Sequence, residues 1–131
     1  MYDTYHFFER IMDGKVVFVD REASVKDLQW NPHAQFKGVF LKHLIKGDST
    51  GGKFSYHLVK ISEGCEIGDH IHEGKYEVHE VVGGVGKGVM NGVEIVYEPG
   101  VMVVVPDSVV HKISADKGNL YILAKFIPAL L

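Results

Sequence analysis

Cysteine is nearly absent from this sequence. Cys65 is the only one, so no internal disulfide can form and nothing implies an oxidising compartment. Arginine is almost as scarce: Arg10 and Arg21 are the only two, which leaves none between residues 22 and 131. Sites that grip carboxylates or phosphates favour the bidentate arginine fork, so the scarcity argues against a strongly anionic substrate, with Lys60 left as a possible point charge. A net charge of -3 is not that of a general nucleic-acid binder, and no segment reads as a helix-turn-helix. No apolar run approaches the length of a membrane span. The opening "MYDTYHFFERIM" lacks the basic start and apolar stretch of a signal peptide. The expectation is a cytoplasmic protein with neither nucleic acid nor membrane as partner.

What is present is a chain of 131 residues, 46% hydrophobic, enough for a real core and of a size for one domain over residues 1–131. Residues 2–12 suit a short helix, with Asp3 or Thr4 as cap, Phe8, Ile11 and Met12 as its apolar stripe, and Asp13-Gly14 as its stop. β-Branched and aromatic residues then dominate. Strands are expected at 15–20, 39–45, 53–61, 76–84, 109–114 and 119–127, with "EIGDHIH" leading into another and "VMVVV" (101–105) reading as buried on both faces. Asn91-Gly92 between "GKGVM" and "VEIVY" is a strong two-residue hairpin signal. Many short strands at close spacing predict an all-β barrel or sandwich. Residues 1–50 supply the helix and edge strands, and 53–127 the barrel. The apolar end "KFIPALL" is expected to pack on the barrel or on a second subunit.

The chemistry concentrates at "GCEIGDHIHEGKYEVHE". Residues two apart in a strand share a face, so His70 and His72 project together and Ile71 turns to the core side. Past a turn at 73–75, the same alternation puts Glu77, His79, Val81 and Gly83 on one face and Glu80 on the other. His111 follows on a strand introduced by Pro106. Three imidazoles and a carboxylate make a site for a divalent transition metal, with one or two positions open. Glu73, Glu80, Asp69 and Asp107 lack the right offset to replace Glu77. His79 stands one step along the same wall. It is a candidate proton carrier, a donor to a ligand, or an inward polar residue bonded to backbone. His57 reads as an ordinary strand residue, His6, His33 and His43 as structural or surface groups, and Cys65 as a small apolar filler. The run "GGVGKG" (83–88) fails both the phosphate-loop and the dinucleotide patterns and reads as glycines at a barrel bend or bulge.

These residues resemble the two motifs of the cupin superfamily. Gly64, His70, His72, Glu77 and Gly84 match the first at every spacing. Gly100, Pro106, Ser108, His111 and Ala115 match the second, except that Ser108 stands for a glycine and Ala115 for an asparagine. The first substitution bears on the turn after Pro106, and neither position is a usual metal ligand. The motifs cover residues 64–115. The resemblance implies a jelly-roll-like antiparallel β-barrel and a pocket in its mouth. It implies His70, His72, Glu77 and His111 as ligands of a divalent metal (iron, manganese, nickel, zinc or copper), and frequent homodimers. It leaves two readings of function. One is an enzyme acting on a small molecule as a dioxygenase, isomerase or lyase, with His79 as the nearest proton carrier. The other is a non-catalytic ligand- or metal-binding sensor or accessory barrel.

Overall fold

The structure is a computed structural model that describes residues 7–131. Helix α1 (Phe7–Met12) is followed by strands β1 (Lys15–Val17), β2 (Glu22–Ser24), β3 (Asn31–Pro32), β4 (Val39–Ile45), β5 (Ser55–Ile61) and β6 (Glu66–His70). Then come β7 (Tyr76–Gly83), β8 (Gly86–Met90), β9 (Val93–Tyr97), β10 (Met102–Val105), β11 (His111–Ala115) and β12 (Leu120–Ile127). Every pair is antiparallel. Six strands form one sheet in the order β10-β7-β12-β5-β4-β3, four form a second in the order β6-β11-β8-β9, and β1 pairs with β2. The expected all-β architecture with a short N-terminal helix is therefore observed. No helix among the described residues is long and apolar enough to cross a membrane.

Alternation builds the core between the two large sheets. Leu120, Ile122, Ala124 and Phe126 of β12 turn inward beside Val59 and Ile61 of β5, and Ile113, Ala115 and Tyr97 meet them from the smaller sheet. Each fully buried aliphatic side chain of this kind contributes roughly 1.5–3 kcal/mol. The N-terminal segment covers the outer face of the larger sheet. Phe8 of α1 stacks on Tyr121 with ring centroids 3.8 Å apart. Lys42 of β4 is buried under the segment, its ammonium donating to the carbonyls of Val25 and Leu28 at 2.9 and 2.8 Å. Residues 2–6 of the expected helix, with the Asp3 and Thr4 caps, lie outside the described residues.

Asn91 and Gly92 both have positive φ, at 51° and 82°, which is the turn their sequence demands between β8 and β9. Strand β10 departs from expectation. It lies at a sheet edge, paired only with β7, and its burial alternates: Val103 and Val105 point in, while Met102 and Val104 are 68% and 56% exposed. A continuous apolar run cannot by itself tell a doubly covered strand from an edge strand. The strand expected over 15–20 stops at Val17, and Val19 is fully exposed. At the C-terminus Phe126 is buried and Leu130 packs against the core, whereas Ile127 and Leu131 are exposed. That tail is pinned by backbone and side-chain bonds: Leu130 N–H donates to Ser55 Oγ, Ala129 N–H to the Gly52 carbonyl, and Lys75 to the Ala129 carbonyl.

Candidate metal centre

The smaller sheet supplies two ligands and the loop beside it a third. His70 closes β6 and His111 opens β11, and the two stand opposite each other in the antiparallel register. The Nδ1 of His70 bonds the Gly68 carbonyl at 2.7 Å, and that of His111 bonds the Val109 carbonyl at 2.9 Å. A carbonyl only accepts, so in both rings Nδ1 carries a proton and donates, which turns Nε2 toward the cluster. β6 ends at His70, so the strand alternation expected for His72 does not operate. Ile71 is 41% exposed rather than in the core. His72 is brought round by the following turn. Its carbonyl accepts from Ser108 N–H at 3.3 Å, and Asp107 Oδ1 accepts from Gly74 N–H at 2.7 Å. Ser108 has φ of 62°, so serine keeps the left-handed conformation that glycine favours, and the turn after Pro106 is preserved.

Glu77 comes from β7 of the opposite sheet. Its face is the one expected for Glu77, His79 and Val81, which are buried, while Glu80 lies on the other side within reach of the Tyr56 hydroxyl. Gly83, expected on the same face, is instead turned outward beside Phe8 and Tyr121 by a register shift against β12. Glu77 Oε1 lies 3.2 Å from His111 Nε2 and 3.7 Å from His72 Nε2. One ligand atom from each of His70, His72, Glu77 and His111 falls within 4.8 Å of the others. The structure thus gathers all four residues whose spacing singled them out, and this group can hold a metal ion.

The electrostatics suit a cation. Burial alone would raise the Glu77 carboxyl, but the neighbouring imidazoles, His79 foremost, outweigh it and hold the group far below the usual range. Burial pushes His70 down to about 4, against the opposing effect of its Gly68 hydrogen bond. Burial also lowers His72. For His111 the hydrogen bond to Glu77 and the bond to the Val109 carbonyl overcome the desolvation, and its value is raised. Two imidazoles kept neutral beside an ionised carboxylate offer lone pairs and one compensating charge.

His79 is 2% exposed, and both its ring nitrogens are engaged. Nε2 lies 2.8 Å from Glu77 Oε2 and Nδ1 lies 2.8 Å from the Tyr97 hydroxyl. Sequence reasoning missed Tyr97. The available signal was the pairing of bulky Tyr97 with a glycine-rich strand, since a Cβ at Gly88 would come within 2.3 Å of the Tyr97 ring. That glycine makes room for a side chain. Gly84 belongs to the bend instead, with φ of 76°. Sequence reasoning also passed over His57, which is fully buried. It bonds His43 through Nδ1 and Ser55 through Nε2, each at 2.8 Å. His33 is structural as expected, its Nδ1 accepting from the backbone N–H groups of Gln35 and Phe36. Cys65 packs against the core. A groove of about 920 Å³ lies on the outer surface beside Phe7, Phe8, Met102 and Tyr121, and none of the four cluster residues lines it.

No protein-family model matches the sequence, and no curated protein does. Solved structures do match. A predicted oxalate decarboxylase from Thermotoga maritima aligns with a TM-score of 0.71 at 22% identity, covering 79% of this chain and 95% of that one. An RmlC-like cupin from Shewanella frigidimarina aligns at 0.69 and 20% identity, covering 80% and 87%. The chain has the cupin fold. KdgF from Halomonas sp. aligns with this cupin barrel at 0.70 and 20% identity, covering 79% and 90%.

Proposed function

We propose that this cupin barrel binds a divalent transition metal through His70, His72, Glu77 and His111 and acts on a small molecule at the remaining coordination positions. The observation that carries the reading is the convergence of four ligand atoms within 4.8 Å, with the tautomers of His70 and His111 set by carbonyls. When bound, the ion supplies Lewis acidity toward a substrate oxygen and, if it is iron, a partner for dioxygen. The protein contributes a buried carboxylate and, in His70 and His72, imidazoles whose burial favours the neutral form. Neither arginine is near: both belong to the N-terminal segment on the outer surface. The ion is therefore the main group able to take an anionic substituent.

The enzyme reading draws support from a fold neighbour described as a predicted decarboxylase. The enclosure of His79 favours the other reading, a ligand- or metal-binding module. A histidine with both nitrogens spent on Glu77 and Tyr97 offers no free atom to a substrate, so we place its contribution in holding Glu77. A second copy would pack on the exposed outer face around Tyr76, Met102, Val104 and Ile127, which light scattering checks directly.

The test is metal analysis of protein purified without a histidine tag. One equivalent of metal in the wild type, lost in His70→Ala and His111→Ala, supports the site. Substoichiometric metal unchanged in both variants overturns it. Loading with iron(II) and following oxygen uptake over small phenols and diketones then separates the two readings: turnover indicates an enzyme, saturable binding alone a module.

A further inference from the structure

The two carboxylate oxygens of Glu77 have different surroundings. Oε1 faces His111 and His72, and Oε2 is taken by His79 at 2.8 Å. Behind His79 stands Tyr97, 2% exposed, with its hydroxyl 2.8 Å from His79 Nδ1 and no other polar partner among the described residues. Burial, together with the charge of Glu77, raises the phenol further above its ordinary value, so it keeps its proton and must spend it. The one acceptor in reach is His79 Nδ1. With Nδ1 accepting, the ring proton sits on Nε2 and is donated to Glu77 Oε2. The reverse arrangement, Nδ1–H donating to the phenol oxygen, would leave the buried hydroxyl proton without an acceptor, which native interiors avoid.

We propose that Tyr97 is a positioning residue: through His79 it ties up Glu77 Oε2 and presents Oε1 alone, so that Glu77 serves as a one-oxygen ligand. This deepens the metal-binding reading and rests on it. A carboxylate free to turn would offer both oxygens and occupy an extra coordination position. The Tyr97–His79 chain keeps that position for a small molecule. Tyr97 reaches this place from β9 because Gly88 on the adjacent strand β8 leaves room for its ring, so the sequence signature is the glycine as much as the tyrosine. Partners of this kind commonly alter metal affinity by about 10–100-fold when removed.

The experiment has two arms. Two-bond proton–nitrogen NMR of metal-free protein reads the His79 tautomer in the wild type, where the proton is expected on Nε2, and in Tyr97→Phe, where the two tautomers are expected to mix. Cobalt(II) titration followed by visible absorption then reads affinity and coordination number. Tyr97→Phe is expected to bind cobalt about tenfold more weakly, with weaker absorption as Glu77 adds its second oxygen. In a His79→Gln background, whose amide can donate to Glu77 without help, Tyr97→Phe should change nothing further. A wild-type His79 protonated on Nδ1, which needs no variant to detect, overturns the proposal. So does cobalt bound by Tyr97→Phe with unchanged affinity and spectrum. Wild-type protein that binds no cobalt overturns the metal reading itself and takes the role of Tyr97 with it, whereas cobalt that binds but ignores Tyr97 removes only the latter.

Discussion

The Nδ1 atoms of His43 and His57 lie 2.8 Å apart, so one ring must donate and the other accept. The direction follows from Ser55. Its Oγ accepts from Leu130 N–H, and its own proton is available for His57 Nε2. His57 then carries its proton on Nδ1 and gives it to His43. The antiparallel register places His57, Ala124 and His79 in one row across β5, β12 and β7, so this chain runs level with His79 but two strands from it.

That pair is expected to make the metal-free protein acid-sensitive. Burial, with the nearby His43 adding to it and Glu77 opposing it, pushes His57 down to about 4 from 6.5. The folded state therefore refuses a proton that the unfolded chain accepts. Its contribution is complete above about pH 6.5 and is lost as pH falls toward 4, on the order of 2–3 kcal/mol. Urea unfolding near pH 7 and near pH 4.5 measures this. His57→Gln should flatten the dependence, leaving the share carried by the other histidines that burial lowers, His33, His43, His70 and His72; an unchanged slope would show that His57 is not the group responsible.

Removing the carboxylate should invert the behaviour of His111. In the metal-free protein burial lowers His111, and the hydrogen bond it donates to Glu77, with that to the Val109 carbonyl, more than restores it. Glu77→Gln keeps the shape and removes the charge, so His111 is expected to titrate below its ordinary value instead of above it. An NMR titration of the ring signals reports the sign.

Gly88→Ala tests the seat of Tyr97. An added Cβ would fall 2.3 Å from a ring carbon of Tyr97, so the ring must shift within a packed core. A loss of about 1–3 kcal/mol is expected, read from the urea midpoint. The His79 ring signals should move with it, because the ring and its hydroxyl move together.

Ser108→Gly should stabilise the fold. Ser108 holds φ of 62°, a conformation that costs an L residue roughly 1–2 kcal/mol and glycine almost nothing. A gain of about 1 kcal/mol is expected in thermal or urea unfolding. Metal content should stay unchanged, since the Ser108 N–H that supports His72 is a backbone group.

Much of the cluster was legible because it is written in local spacing. His70, His72 and Glu77 stand within eight residues, and β7 is long enough for its alternation to settle that Glu77 and His79 share a face. Strands β4, β5, β7 and β12 were likewise visible as β-branched runs between glycine-rich turns. The readings that failed needed knowledge of neighbours. Val104 is exposed because β10 has no strand beyond it, and nothing in "VMVVV" says so. His72 joins His70 through a turn held by Asp107 and Ser108, residues more than thirty positions away, although strand parity had suggested a simpler reason.

Sequence alone determined which groups could meet an ion: three imidazoles and a carboxylate at offsets that strands and turns of this length can close. Their chemistry is a property of residue type, and their facing is a property of the two-residue period. Only the tertiary structure decided what each group faces. It set Tyr97 behind His79, split the two oxygens of Glu77 between a histidine and the cluster, and paired His43 with His57. The contacts of Tyr97 with His79, of Glu77 with His111 and of His43 with His57 join different strands, and the period of a strand states which way a side chain points without stating what will be there to meet it.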